Sequence, residues 1–423
     1  MGTKGVFCVA AAVGLLVVPP ALGGRVVSVG YRTPAALHGL HVVSRVAQLR
    51  TAEVRLASLR EERTLRTRPG IRFVQRTVAR TDAGGPAAPL FSTGATVPEW
   101  QWTATRSDLV PSWVEDAASN ITIAIVDTGA DLLAPTLAAK NPITWNIVEG
   151  TATVHDAVGH GTFVASLAAG GVSDPAGMHG FGGQAKLMIV QANRGGTGFS
   201  DIDEANAIVY AVDHGANIIN LSLGGPQTSL VERYAVDYAT QHGVLLVVAA
   251  GNAAEQGNPT VYPAALVGRS GLVVGASSPG GARASFSTTG RYVDVLAPGV
   301  QVLGAVATGI PSGYFTPAVT PGANGTYGYG TGTSYASPEV AGAAALVWAA
   351  NPSLSAQGVA TTIEGTASGE GTWTTDLAFG NMDVAAAVQH AATGVLPALS
   401  TPSVPKVAKP KQSAAKKAKR ARP

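Results

Sequence analysis

Three short stretches of this chain place a reactive side chain next to glycine or at the start of a helical pattern. They are Ile123-Ala124-Ile125-Val126-Asp127-Thr128-Gly129, Gly159-His160-Gly161-Thr162 and Gly330-Thr331-Gly332-Thr333-Ser334-Tyr335-Ala336-Ser337-Pro338. An aspartate, a histidine and a serine therefore occur in that order. A serine hydroxyl attacks an acyl carbon only when a base takes its proton and an acid orients and stabilises the imidazolium that forms. These three residue types supply that set. Taken singly, each has a plainer reading: Asp127 as a strand-end turn residue, His160 as a structural histidine, Ser334 as a helix cap. Their joint occurrence carries the catalytic reading, in which activity falls as His160 takes a proton near its ordinary value of about 6.5.

Such side chains need elements that hold them together. Apolar runs rich in Val and Ile, at 121–126, 187–190, 218–221, 244–249 and 272–275, alternate with helical patterns. That alternation predicts buried strands of a parallel sheet. Ser200-Asp201-Ile202-Asp203 resembles a capping box, opening a helix whose apolar positions are Ile202, Ala205, Ile208, Val209 and Val212, so its acids are read as caps rather than catalysts. The expected fold is an α/β three-layer domain on a parallel sheet, with its site at the carboxyl ends of the strands.

With 423 residues, 46% hydrophobic and 13% charged, the chain can bury a large core. It is neither a small disulfide-stapled scaffold nor mainly disordered. The net charge of +3 conceals three segments of different sign. Residues 25–82 carry 12 arginines against 4 acids, net +8; residues 395–423 carry 8 basic residues and no acid; residues 83–394 carry 8 basic and 22 acidic residues, net −14.

Residues 1–23 combine Lys4, an uncharged run over 6–18 and the small residues Ala21 and Gly23, which reads as a secretory signal peptide. The run is shorter than the roughly 20 residues of a bilayer span. The single cysteine, Cys8, lies within it, so the mature chain is expected to have neither disulfide nor thiol chemistry. Residues 24–82 read as a small α+β unit, with a helix-like piece around 51–64 and a strand-like end at 71–78. The Gly/Pro/Ala stretch 82–89 suits proteolysis and marks a boundary. The next domain is 83–394, with an N-terminal junction at 83–97. The tail 395–423, with seven charges in 409–422 and no apolar run, reads as disordered.

From residue 90 to residue 392 the chain resembles the subtilisin-like serine proteases. The resemblance rests on Asp-Thr-Gly at 127–129, Gly-His-Gly-Thr at 159–162, Gly-Thr-Ser-x-Ala-Ser-Pro at 332–338, and the order of the three. A sedolisin-like relative would have Glu in place of His160. The resemblance implies a secreted endopeptidase working through an acyl-enzyme, with Asp127, His160 and Ser334 as its triad. It implies that Asn252, in Ala249-Ala250-Gly251-Asn252, donates to the oxyanion beside the Ser334 N–H. It implies that Ser222, Leu223 and Gly224, with Ala250 and Gly251, bind extended polypeptide substrates by strand addition. Catalysis in this family needs no cofactor. Structural calcium is common in it, but Pro135 is followed by Thr136 where an aspartate usually stands, so no ligand set is identifiable.

Residues 24–82 resemble the family's inhibitory propeptide, with 68–75 as its final strand, which implies a zymogen held by its own propeptide as intramolecular inhibitor. Several positions depart from the pattern. Phe163 and Glu339 stand where histidine is frequent, and Tyr335 where methionine commonly follows the nucleophile. Val261 replaces a glycine lining the primary specificity pocket, which favours small or medium apolar side chains.

Two other functions compete: a catalytically idle, subtilisin-shaped binding protein, and polyanion binding by the basic tail. The tail has no aromatic residue for stacking on bases, so specific nucleic-acid recognition is not expected and acidic cell-surface polymers are the expected partner. Mycosin-type relatives end in a transmembrane helix; the charged tail argues against a transmembrane anchor in the mature form. The expected location is extracellular, with surface association through the tail.

Overall fold

The computed structural model describes residues 25–82, 100–172, 179–196, 198–310, 315–317, 327–368, 374–375 and 378–395. The expected signal peptide (1–23), junction (83–97) and basic tail (395–423, Val395 excepted) lie outside them. The chain divides into two compact units, Met1–Thr77 and Val78–Pro423.

The first unit is a four-stranded antiparallel sheet in the order His41–Val46, Thr51–Leu56, Arg25–Tyr31, Ile71–Arg76. Its helix runs Leu59–Thr67, not through the 51–64 stretch that looked helix-like. Thr51–Leu56 is instead a strand, because pairing along Arg25–Tyr31 and His41–Val46 buries Ala52, Val54 and Leu56. The helix begins after Ser58, whose hydroxyl accepts from the Glu61 N–H at 3.2 Å. Val27, Val29, Val54, Leu65 and Val74 form the unit's own core.

In the second unit a seven-stranded parallel sheet runs, in spatial order, Val295–Pro298, Leu272–Ser277, Leu245–Ala249, Ile218–Leu221, Thr122–Asp127, Lys186–Gln191, Ile143–Asn146. The five apolar runs read from the sequence are its five inner strands. Side chains alternate across a strand, and here both faces are buried. Ile123, Ile125, Leu245 and Val247 pack into one cluster with the helices His160–Ala169 and Thr333–Ala350. The opposite face carries the helices Asp201–Asp213 and Leu230–Gln241. These are the three layers expected. The chain leaves Thr122–Asp127 toward one edge of the sheet and later continues from Ile218–Leu221 toward the other. The crevice between these neighbours is a switch point, where open α/β sheets place their sites. Asp127 ends the first of these strands, and Ser222 follows the second.

A further strand, Ala79–Asp82, belongs to this unit. It lies antiparallel between Leu223–Gly224 and Gly198–Ser200 as the centre of a three-stranded sheet. No helix among the described residues is long and apolar enough to cross a membrane.

Candidate active site

Glycines let the first two motifs meet. Gly129 has a φ of +110°, and a Cβ there would run into the His155 carbonyl; a Cβ on Gly161 would run into the Gly129 carbonyl. That close approach brings the His160 helix start onto the Asp127 turn. Asp127 Oδ1 accepts from the Thr128 N–H at 2.7 Å and lies 2.8 Å from His160 Nδ1. Both side chains are buried.

Asp156, which the motifs did not single out, holds this junction together. Its carboxylate accepts from the N–H groups of Val158, Gly159 and Thr162 and from the hydroxyls of Thr128 and Thr162, at 2.6–3.2 Å. An aspartate four residues before a Gly-flanked histidine, at a helix start, was the available signal.

Ser334 opens the buried helix Thr333–Ala350. Its Oγ donates to the Ser222 carbonyl at 2.8 Å, and the Ser222 Oγ donates to the Ser334 carbonyl at 2.8 Å. Asn220 locks this pair: its Nδ2 donates to Ser222 Oγ at 2.9 Å, and its Oδ1 accepts from Ser337 Oγ at 2.7 Å. His160 Nε2 is buried without a hydrogen-bond partner among the described residues. The serine hydroxyl is therefore held on a carbonyl rather than on the imidazole. A hydroxyl is a rotor, and catalytic hydrogen bonds commonly tighten only with substrate bound.

Asn252 Oδ1 accepts from both the N–H and the Oγ of Thr333, each at 2.9 Å, which fixes the orientation of the amide beside the serine. Of the other predicted binding residues, Leu223 and Gly224 pair with Asp82 and Thr81. Ala250 is buried at the end of its strand. A Cβ on Gly251 or on Gly224 would stand 2.8 Å from a Val261 methyl, so Val261 fills the space between those two glycines.

Burial disfavours the His160 imidazolium, but the Asp127 carboxylate outweighs that through charge and hydrogen bond, and Asp82 and Asp156 add to it. His160 is pushed up to about 9, well above the ordinary histidine value of 6.5. Tyr335 packs against His160 and Phe163, with ring centroids 5.7 and 4.6 Å away, and Phe163 stacks on Phe315 at 4.6 Å. Glu339, in the second turn of the helix, is fully buried with neither carboxylate oxygen partnered among the described residues, and burial drives its carboxyl well up, toward the neutral form.

The loop after Asp127 does not fit a calcium ion. The Asp131 oxygens accept from the N–H groups of Leu133 and Thr308, and Thr136 offers only a buried hydroxyl. No group of three or more His, Cys, Asp or Glu among the described residues is arranged to hold a metal ion.

A doubly wound parallel sheet with an Asp–His pair and a helix-start serine at its switch point defines an α/β protein of the serine-hydrolase kind. The subtilase family model matches residues 118–385, well over half of the chain. The chain belongs to the subtilase family, the subtilisin-like serine proteases. It is 36% identical over 236 residues to the thermophilic serine proteinase of Bacillus sp. (strain AK1), covering 55% of this chain and 53% of that protein. It is 35% identical over 285 residues to thermitase of Thermoactinomyces vulgaris, covering 66% of this chain and 92% of thermitase. Among solved structures it is similar to fervidolysin from Fervidobacterium pennivorans, a keratinolytic enzyme related to subtilisin. There the TM-score is 0.74 at 26% identity, over 88% of this chain and 61% of that one. The chain thus spans about half the length of the first of these relatives and nearly all of thermitase.

Proposed function

We propose that this protein is a secreted serine endopeptidase made as an inactive precursor. The observation that carries the proposal is the strand Ala79–Asp82, a stretch of polypeptide held antiparallel on Leu223–Gly224 and ending beside the Asp127–His160 pair and Ser334. A polypeptide substrate would add as a strand in the same way. His160 Nε2 takes the Ser334 proton as Oγ attacks the carbonyl carbon, and Asp127 holds the ring with Nδ1–H toward it and stabilises the imidazolium. The Asn252 amide and the Ser334 N–H donate to the oxyanion as charge develops. The imidazolium then returns its proton to the leaving amine. Water repeats the sequence on the acyl-enzyme and frees Ser334.

In this reading residues 24–82 are an inhibitory propeptide that precedes the catalytic domain, and the signal-like residues 1–23 direct export. The basic tail gives loose attachment to acidic surfaces. A fluorophosphonate probe tests the central assignment. It is expected to label the wild type and not Ser334→Ala; equal labelling of both would move the nucleophile elsewhere.

A further inference from the structure

Two carboxylates of the second unit have no part in the chemistry above. Glu204 lies in the first turn of the helix Asp201–Asp213, and Glu232 in the first turn of Leu230–Gln241. The two helices pack on each other, and both side chains have no exposed surface. Between them sits the side chain of Arg80, likewise fully enclosed. Its Nε donates to Glu232 Oε1 at 2.7 Å, and its Nη2 is 2.7 Å from the same oxygen. Its Nε is 3.8 Å from Glu204 Oε2, and its Nη1 donates to the Ala79 carbonyl at 3.1 Å.

Neither Glu204 oxygen has a hydrogen-bond partner among the described residues. Asp201, buried nearby, accepts from Ser229 Oγ at 2.6 Å and adds negative potential. Burying carboxylates together is costly unless a cation with matching donors joins them. The planar fork of a guanidinium, with five N–H donors, supplies that match.

Arg80 reaches this pocket on the strand that occupies the substrate position. Thr81 is opposite Gly224 and Asp82 opposite Leu223, so a peptide continuing in this register meets Ser222 at its next residue. Ser222 is the residue whose carbonyl holds the Ser334 hydroxyl. In the sequence the residue after Asp82 is Ala83, and a side chain of that size suits the space that Val261 narrows.

Building on the protease reading, we infer that Glu204 and Glu232 form a specificity pocket for an arginine side chain three residues before the residue whose peptide bond is cut, with Arg80-Thr81-Asp82-Ala83 as the first such sequence. The preferred substrates are polypeptides carrying arginine at that position and a small residue at the cut.

The full-length chain is incubated so that it can cut away its own residues before the Arg80-Thr81-Asp82-Ala83 site, and is then assayed on internally quenched peptides containing Arg-Thr-Asp-Ala-Gly-Gly, and on the same peptides with the arginine replaced by glutamine or leucine. A site built to pair a buried polar group strongly rejects analogues that leave it unpaired, so kcat/KM is expected to fall by at least about 10²-fold for both replacements. In Glu204→Gln/Glu232→Gln the ratio of arginine to glutamine peptide is expected to collapse toward one. The wild-type peptide series decides the matter even where that variant does not fold. Fluorophosphonate labelling of the same samples separates two failures. Wild type that takes the label but cuts all three peptides alike, or none of them, overturns the pocket and leaves the serine hydrolase standing; Arg80 and the two glutamates are then a fixed structural tie. Wild type that neither takes the label nor cuts any peptide overturns the protease reading, and the pocket with it.

Discussion

Ser334 Oγ rests on a backbone carbonyl while His160 Nε2 has no partner among the described residues, so in the proposed mechanism the serine turns before it reacts. Groups that work as one unit lose their effect together. Ser334→Ala, His160→Ala and Asp127→Ala are each expected to abolish most peptide hydrolysis, and double variants to add little; near-additive losses in kcat would break the unit. The pH dependence follows from the field around His160. As the base of the proposed mechanism His160 must be neutral, so activity is expected to rise with pH through the histidine's pKa, which is about 9 with Asp82 in place. Asp82 is one of the charges that raise it, so removing that charge lowers it. A peptide with asparagine at the Asp82 position is therefore expected to show the acid limb of its kcat profile at lower pH than the aspartate peptide. Superimposable limbs would show that this carboxylate is not felt at the imidazole.

Among the elements, the segment before Tyr262 and the aromatic stack behind Ser334 carry the clearest consequences. Val261→Gly removes the methyls that stand against Gly224 and Gly251. The ratio of kcat/KM for phenylalanine over alanine at the cut residue is then expected to rise; an unchanged ratio would place the specificity wall elsewhere. Phe163, fully buried between Phe315 and Tyr335, should cost about 3–5 kcal/mol on replacement by alanine, read from urea unfolding.

The inner strands were legible because runs such as Ile218–Leu221 are apolar on both faces, as a covered parallel sheet requires. The edge strand Ile143–Asn146 was not, since half-exposed positions there break the apolar run. Asp127, His160 and Ser334 were legible because close approach forces glycine beside two of them and small residues around the third. The Arg80 pocket was hidden for the opposite reason. Its partners Arg80 and Glu232 are 152 residues apart, and a glutamate in the first turn of a helix looks like an ordinary dipole-compensating residue.

At the scale of the whole molecule, charge is separated along the chain: net +8 over residues 25–82 and net −14 over 83–394. Fields of opposite sign speed encounter, and screening shortens their reach to about 3 Å at 1 M salt. Association of a separately made 24–82 segment with the remainder is expected to slow markedly between about 0.05 and 1 M salt in stopped-flow inhibition. A salt-independent rate would leave apolar contact and strand pairing as the only attractions. The segment's Lys+Arg residues are all arginine, which suits paired recognition of carboxylates. Arg80 realises it inside the second unit, where it has two buried glutamates in reach.

Tyr335 puts a phenol ring, not a thioether, directly after Ser334 in the chain and against the His160 ring. The two methionines among the described residues, Met188 and Met382, are no more than 1% exposed, and the only cysteine lies in the signal-like leader. Peroxide attacks sulfur in proportion to its exposure, and among the described residues this site offers it none. Hydrogen peroxide at concentrations that oxidise a solvent-facing methionine should leave the rate of peptide hydrolysis intact, whereas Tyr335→Met should make that rate decay with time of exposure. A tyrosine at this place equips the enzyme to keep working in oxidant-rich surroundings.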